Sequence, residues 1–150
     1  MANMTAGGKA LVDIDSLIQK SGLGQGMKTA DLGCGSSGHL LFGCARTVGR
    51  DGVVYAVDIL KNVLDSVAKQ AKAENLPQIK TVWSDLEVFS ATKIESSSLD
   101  VAFLVNTLYQ SQKRAEMLRE AIRMLKPGCT LATVEWKKVS VPFGPPPKER

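Results

Sequence analysis

The sequence predicts an α/β domain built on an open, doubly wound, mostly parallel sheet with helices on both faces. Three observations carry this expectation. Strand-like and helix-like segments alternate from residue 13 to residue 136. The run SLDVAFLVN (98–106) is apolar almost throughout, as a strand buried on both faces of a parallel sheet reads. A glycine-rich turn, GCGSSG (33–38), leads from the first strand into a helix. A chain of 150 residues supports one core, so 1–150 reads as a single domain, with 1–26 as an N-terminal helix region and 137–150 as a proline-rich tail.

The segments follow in order. DIDSLIQKSGL (13–23) reads as a short helix, with Asp13 as N-cap and Gly22 as its stop. KTADL (28–32) is a short strand and GHLLFGCARTV (38–48) a helix. GVVYAVDI (52–59), rich in β-branched residues, is the second strand, entered through the turn at Arg50, Asp51 and Gly52. The next helix places Val63, Leu64, Val67, Ala68 and Ala71 on one face. Pro77 breaks the chain before QIKTVWSD (78–85), the third strand, and residues 98–106 are the fourth. A helix over 111–126 aligns Leu118, Ala121, Ile122 and Leu125, and Pro127-Gly128 stops it. CTLATVEW (129–136) is the fifth strand. Right-handed crossovers put helices on both faces.

Composition narrows the function classes. Nineteen basic and fifteen acidic residues leave a net charge of +4, mildly basic and without a cluster that would mark a nucleic-acid surface. Lys113, Arg114, Arg119, Arg123 and Lys126 are interleaved with Glu116 and Glu120 and read as a solvated helix face. The three cysteines, 34, 44 and 129, form no C-x-x-C pair, so neither a disulfide scaffold nor a metal site is expected and a cytoplasmic location is. No run of 18 apolar residues is present to span a membrane, and MANMTAGGKA lacks the apolar stretch of a secretory signal.

Gly33, Gly35 and Gly38 have the spacing G-x-G-x-x-G, and Asp31 stands two residues before them. Glycine lets the backbone turn sharply and approach a ligand closely, and ligands of open α/β sheets bind at the carboxyl ends of the strands. A carboxylate beside the turn would repel a pyrophosphate. Asp58 and Asp85 end the second and third strands, on the same edge of the sheet. A carboxylate at Asp58 can accept hydrogen bonds from both ribose hydroxyls. Acids gathered at strand ends are costly unless solvent or a ligand meets them. S-adenosylmethionine suits them, with its sulfonium, ammonium, ribose hydroxyls and adenine amino group, and no phosphate.

ADLGCGSSG, VYAVDI, WSDLE, LDVAFLVNTLYQ and LREAIRMLKPGCTLATVEWKK, in that order, resemble class I S-adenosylmethionine-dependent methyltransferases. The likeness is to the small-molecule branch that includes ubiquinone/menaquinone-type enzymes, and it runs from about Leu11 onward. It implies a Rossmann-like fold. It also implies that Asp31, Gly33, Cys34, Gly35 and Gly38 form the turn around the methionine part of the cofactor. Asp58 would hold the ribose, Ile59 would pack on the adenine, and Asp85 with the amide of Leu86 would read the adenine edge. Asn106 would lie near the transferable methyl, and Tyr109 and Gln110 follow in a loop that could face the acceptor. The resembled fold continues past the fifth strand with a helix and an antiparallel strand pair, whereas this sequence ends in FGPPPKER. The fifth strand is therefore expected to be an edge that pairs with a second copy.

Other readings stay open. G-x-G-x-x-G with Asp58 also fits a nicotinamide-dependent oxidoreductase, although Asp31 and the lack of a Tyr-x-x-x-Lys catalytic pair oppose it. A cofactor-binding module without catalysis is the third. No catalytic base stands out. His39 reads as a surface or capping residue, Trp83 and Trp136 as core or sheet-packing residues, and Cys34 as a small turn residue; Tyr109 either faces the acceptor or packs under the next helix.

Overall fold

The computed structural model describes residues 12–150; residues 1–11, part of the expected N-terminal helix region, lie outside the described residues. In chain order the elements are α1 (Ile14–Ser21), β1 (Lys28–Leu32), α2 (His39–Val48), β2 (Val53–Asp58), α3 (Lys61–Ala73), β3 (Ile79–Trp83), β4 (Leu99–Val105), a 3-10 turn (Leu108–Gln110), α4 (Arg114–Met124) and β5 (Leu125–Val134). The five strands form one sheet in the order β3-β2-β1-β4-β5. Every neighbouring pair is parallel. The expected doubly wound architecture is what the chain forms.

Local chemistry sets the helix ends. The Asp13 side chain accepts the Ser16 N–H at 3.0 Å and starts α1, and Gly22 ends it in the left-handed region at φ 76°. Helices α1 to α3 cover one face of the sheet, where Leu40, Leu41 and Val67 meet Val54, Phe103 and Val105. Helix α4 covers the other, where Met117, Ala121 and Met124 meet Leu32, Ala102 and Leu104. β4 is apolar except at Asp100, which pairs with Lys126, because both of its faces are covered. Leu99 packs with the face of the even-numbered residues, and the ladder to β5 shifts register between Leu99 and Val101.

Four expectations are corrected. Helix α4 ends at Met124, and Leu125 is already extended and paired with Leu99, so Pro127 and Gly128 lie in the irregular start of β5. The buried residues of α4 are Met117, Glu120, Ala121 and Met124, while Ile122 is 60% exposed. The helix packs on a stripe one position away from the aliphatic one. Glu120 and Arg123 are no solvated pair. Glu120 is fully buried and accepts the Ser90 and Thr92 N–H groups, and Arg123 donates to Glu120 and to the carbonyls of Thr92 and Ile94. Together they clamp the irregular connection from β3 to β4 onto α4. Finally, Trp83 is half-exposed on the outermost strand and donates to the Ile59 carbonyl at 2.8 Å, and Trp136 lies beyond the end of β5.

Candidate cofactor site

The strand order reverses between β1 and β4, whose connections run to opposite faces of the sheet. At such a point the loops diverge and leave a crevice at the carboxyl ends of the strands. The turn after β1 is pinned there by its own backbone: the N–H groups of Gly33 and Cys34 both donate to the Val57 carbonyl, at 2.8 and 3.0 Å. Gly33 has φ +75°, and a Cβ on it would lie 2.6 Å from Thr107 Cγ2, so only glycine allows the β1 and β4 loops to meet. The Thr107 hydroxyl in turn donates to the Leu32 carbonyl at 3.2 Å.

Asp58 ends β2 and faces this turn. Its Oδ2 accepts the Gly35 N–H at 3.0 Å and its Oδ1 accepts the Leu60 N–H at 2.9 Å. A carboxylate has about four acceptor positions, so two remain for a ligand. After β3, Asp85 accepts the Glu87 N–H at 2.9 Å, which folds the loop and leaves Asp85 partly exposed above buried Leu86. Ser111 donates to Glu87 Oε1 at 2.6 Å and so ties this loop to the one that follows β4.

These loops enclose a cleft of about 470 Å³. Of the residues expected at the site, Gly33, Gly35, Asp58, Ile59, Asp85 and Leu86 line it. Asp31 does not; it is 1% exposed, within β1. Cys34 is fully buried within the turn. Gly38 serves packing, since a Cβ there would lie 2.7 Å from the Phe42 ring. Asn106 lines a neighbouring cavity instead, in a left-handed conformation at φ 51°. Glu87, Thr107 and Ser111 line the cleft but carry no signal in the sequence, because the contacts that tie their loops together, Ser111 to Glu87 and Thr107 to Leu32, span 24 or more residues. His39 is exposed, as expected.

The charge of the cleft is one-sided. Asp58, Asp85 and Glu87 line it, and among the described residues no lysine, arginine or histidine does. A phosphate would find no cation there. A ligand with positive charge and hydrogen-bond donors would meet acceptors at two strand ends, with apolar support from Ile59, Leu86 and Met117. The residues present therefore fit S-adenosylmethionine.

The fold and its crevice define a Rossmann-like domain of the class I methyltransferase type. A methyltransferase-domain family profile matches residues 30–133, and the chain belongs to that family. It is 31% identical over 125 residues to a 2-phytyl-1,4-naphtoquinone methyltransferase of Nostoc punctiforme, covering 83% of this chain and 53% of that protein. It is 28% identical to a ubiquinone/menaquinone biosynthesis C-methyltransferase of Laribacter hongkongensis, covering 97% of this chain and 57% of that one. The chain thus spans about half the length of these curated relatives. A solved S-adenosylmethionine-dependent methyltransferase from Aquifex aeolicus superposes with a TM-score of 0.84 at 26% identity, covering 95% of this chain and 74% of that one.

Proposed function

We propose that this domain binds S-adenosylmethionine in the acidic cleft and takes part in methyl transfer to a small, largely apolar acceptor of the quinol type. The observation that carries the reading is the cleft at the strand-order reversal, lined by carboxylates and by no cation among the described residues. The names of the two quinone-methylating relatives support the acceptor class. When bound, the cofactor supplies an electrophilic methyl group on a sulfonium sulfur.

The chain's own residues divide the remaining work. The free acceptor positions of Asp58 take the ribose hydroxyls, Ile59 and Leu86 flank the adenine, and Asp85 with the Leu86 amide reads its edge. Gly33 and Gly35 bring backbone close to the methionine part. Asp31, Cys34 and Gly38 act one step back, by shaping the turn. Holding the acceptor in line with the transferable methyl supplies much of the rate. The oxidoreductase reading draws no support from the cleft, because a dinucleotide's phosphates would face Asp58, Asp85 and Glu87. The lack of any C-x-x-C pair among the three cysteines supports a reducing, cytoplasmic location. The outer edge of β5, to which no strand pairs among the described residues, supports association with a second copy.

Calorimetry tests the cofactor reading. S-adenosylhomocysteine is expected to bind and NAD to give no heat. NAD binding without a response to S-adenosylhomocysteine would overturn the assignment.

A further inference from the structure

A second cavity, of about 410 Å³, adjoins the cleft across the turn that follows β4. Asn106 and Glu135 stand on that turn's side of it, and Val134, Trp136, Val139 and Phe143 give it an apolar wall. The wall is built, not incidental. The Trp136 and Phe143 rings pack at 6.3 Å between centroids. Arg150, 6% exposed, sits over the Trp136 ring at 5.2 Å and donates to the carbonyls of Lys137, Val139, Phe143 and Pro145.

Glu135 joins this cavity to the cleft. Its Oε1 accepts the N–H groups of Thr107 and Leu108, at 3.1 and 2.8 Å, and Thr107 lines the cofactor cleft. Its Oε2 is buried and meets no donor. A buried carboxylate oxygen without a donor is costly, and the cost is removed if a ligand supplies one. Asn106 stands beside the cavity at φ 51°, in the left-handed region that asparagine enters more readily than other non-glycine residues.

We propose that this second cavity is the acceptor pocket, and that Glu135 Oε2 receives the hydroxyl hydrogen of an acceptor whose aromatic or otherwise apolar body lies against Trp136, Val139 and Phe143. This assignment rests on the methyl-transfer reading and deepens it. The hydroxyl first donates to Oε2. Its proton then passes to Oε2, which leaves a neutral carboxylic acid on Glu135 and an oxyanion on the acceptor, and the O–H electron pair remains with the acceptor as the nucleophile. The turn bonded to Oε1 holds the base against the wall it shares with the cofactor cleft.

The test uses 2-naphthol and naphthalene, which share an aromatic body and differ in the donor. Their binding to the full chain is measured by ligand-observed NMR, in parallel with S-adenosylhomocysteine calorimetry. A hydrogen bond to a charged group corresponds to about a ten- to hundredfold preference for 2-naphthol. Glu135→Gln, which replaces one oxygen by a donor, is expected to abolish the preference. Phe143→Ala should weaken both probes about equally, and it serves as a second variant where Glu135→Gln disturbs the turn. Equal binding of the two probes to wild type, or a preference that survives in Glu135→Gln, overturns the assignment. Discrimination between the probes without any S-adenosylhomocysteine binding would retain the hydroxyl pocket and sink the methyl-transfer reading instead.

Discussion

Asp58 has two tasks. It fastens Gly35 and Leu60 through its two oxygens, and its remaining acceptor positions face the cleft. Asp58→Ala is therefore expected to lower S-adenosylhomocysteine affinity about ten- to hundredfold, from charged hydrogen bonds of roughly 1.5–3 kcal/mol each. Asp58→Asn should lose less, because one side-chain oxygen remains. Calorimetry on both variants measures the difference; equal affinity in Asp58→Ala and wild type would reduce Asp58 to a strand terminus. Gly33 gives a sharper steric prediction. Gly33→Ala places a methyl 2.6 Å from Thr107 Cγ2 in a left-handed residue, with a backbone cost of about 1–2 kcal/mol before any overlap. Thr107→Ser removes that Cγ2 and should restore part of the stability in the double variant, while the backbone cost stays. Chemical denaturation of the four proteins reads both terms.

The acid–base pair of α4 belongs to the scale of the element. Burial pushes the Glu120 carboxyl upward, but hydrogen bonds from Arg123, Ser90 and Thr92 outweigh it and hold the pKa at about 2, below its ordinary 4.5. The folded state thus favours the carboxylate more than the unfolded chain does. Its contribution is fully present above about pH 4.5 and is lost as pH falls from there through about 2. Glu120→Ala should cost about 3–5 kcal/mol, because Arg123 is left with an unpaired, largely buried charge. The variant should also lose the acid sensitivity between those two pH values, which urea unfolding across the range would show. Glu120→Ala as stable as wild type would mean that the β3–β4 connection holds itself. Ile122 behaves oppositely: at 60% exposure, Ile122→Ser is expected to change stability by less than about 0.5 kcal/mol.

At the scale of the whole molecule the sheet has two unlike edges. β3 carries half-exposed Trp83, fixed to Ile59 and with the Lys61 ammonium 5.5 Å above its ring. β5 lies at the other edge, with Thr130 and Thr133 exposed and no charged side chain between Lys126 and Glu135 to oppose pairing. The residues after it gather around Arg150. Association through β5 predicts a mass that rises with concentration in sedimentation, with S-adenosylhomocysteine affinity largely retained. A strictly monomeric chain whose β5 amides are protected from exchange would exclude this edge as the contact.

What the sequence determined by itself was whatever depends on local pattern. The strand–helix alternation, the doubly apolar β4, the Asp13 cap, the Gly22 stop and the glycine turn are each written within a dozen residues, because backbone preference and burial period are short-range. The carboxylates at the end of β2 and two residues after β3 were legible for the same reason, although the expectation that Asp85 ends the strand runs two residues long. Tertiary structure alone decided which of two overlapping stripes α4 buries, since the choice of Glu120 over Ile122 depends on the connection at Ser90 and Thr92 that comes to meet it. It also placed Asn106 beside the neighbouring cavity rather than in the cleft, and made Glu135 the carboxylate that fastens the β4 turn. Such roles rest on hydrogen bonds between residues about thirty positions apart, such as Glu135 to Leu108, and only the folded chain brings those atoms together.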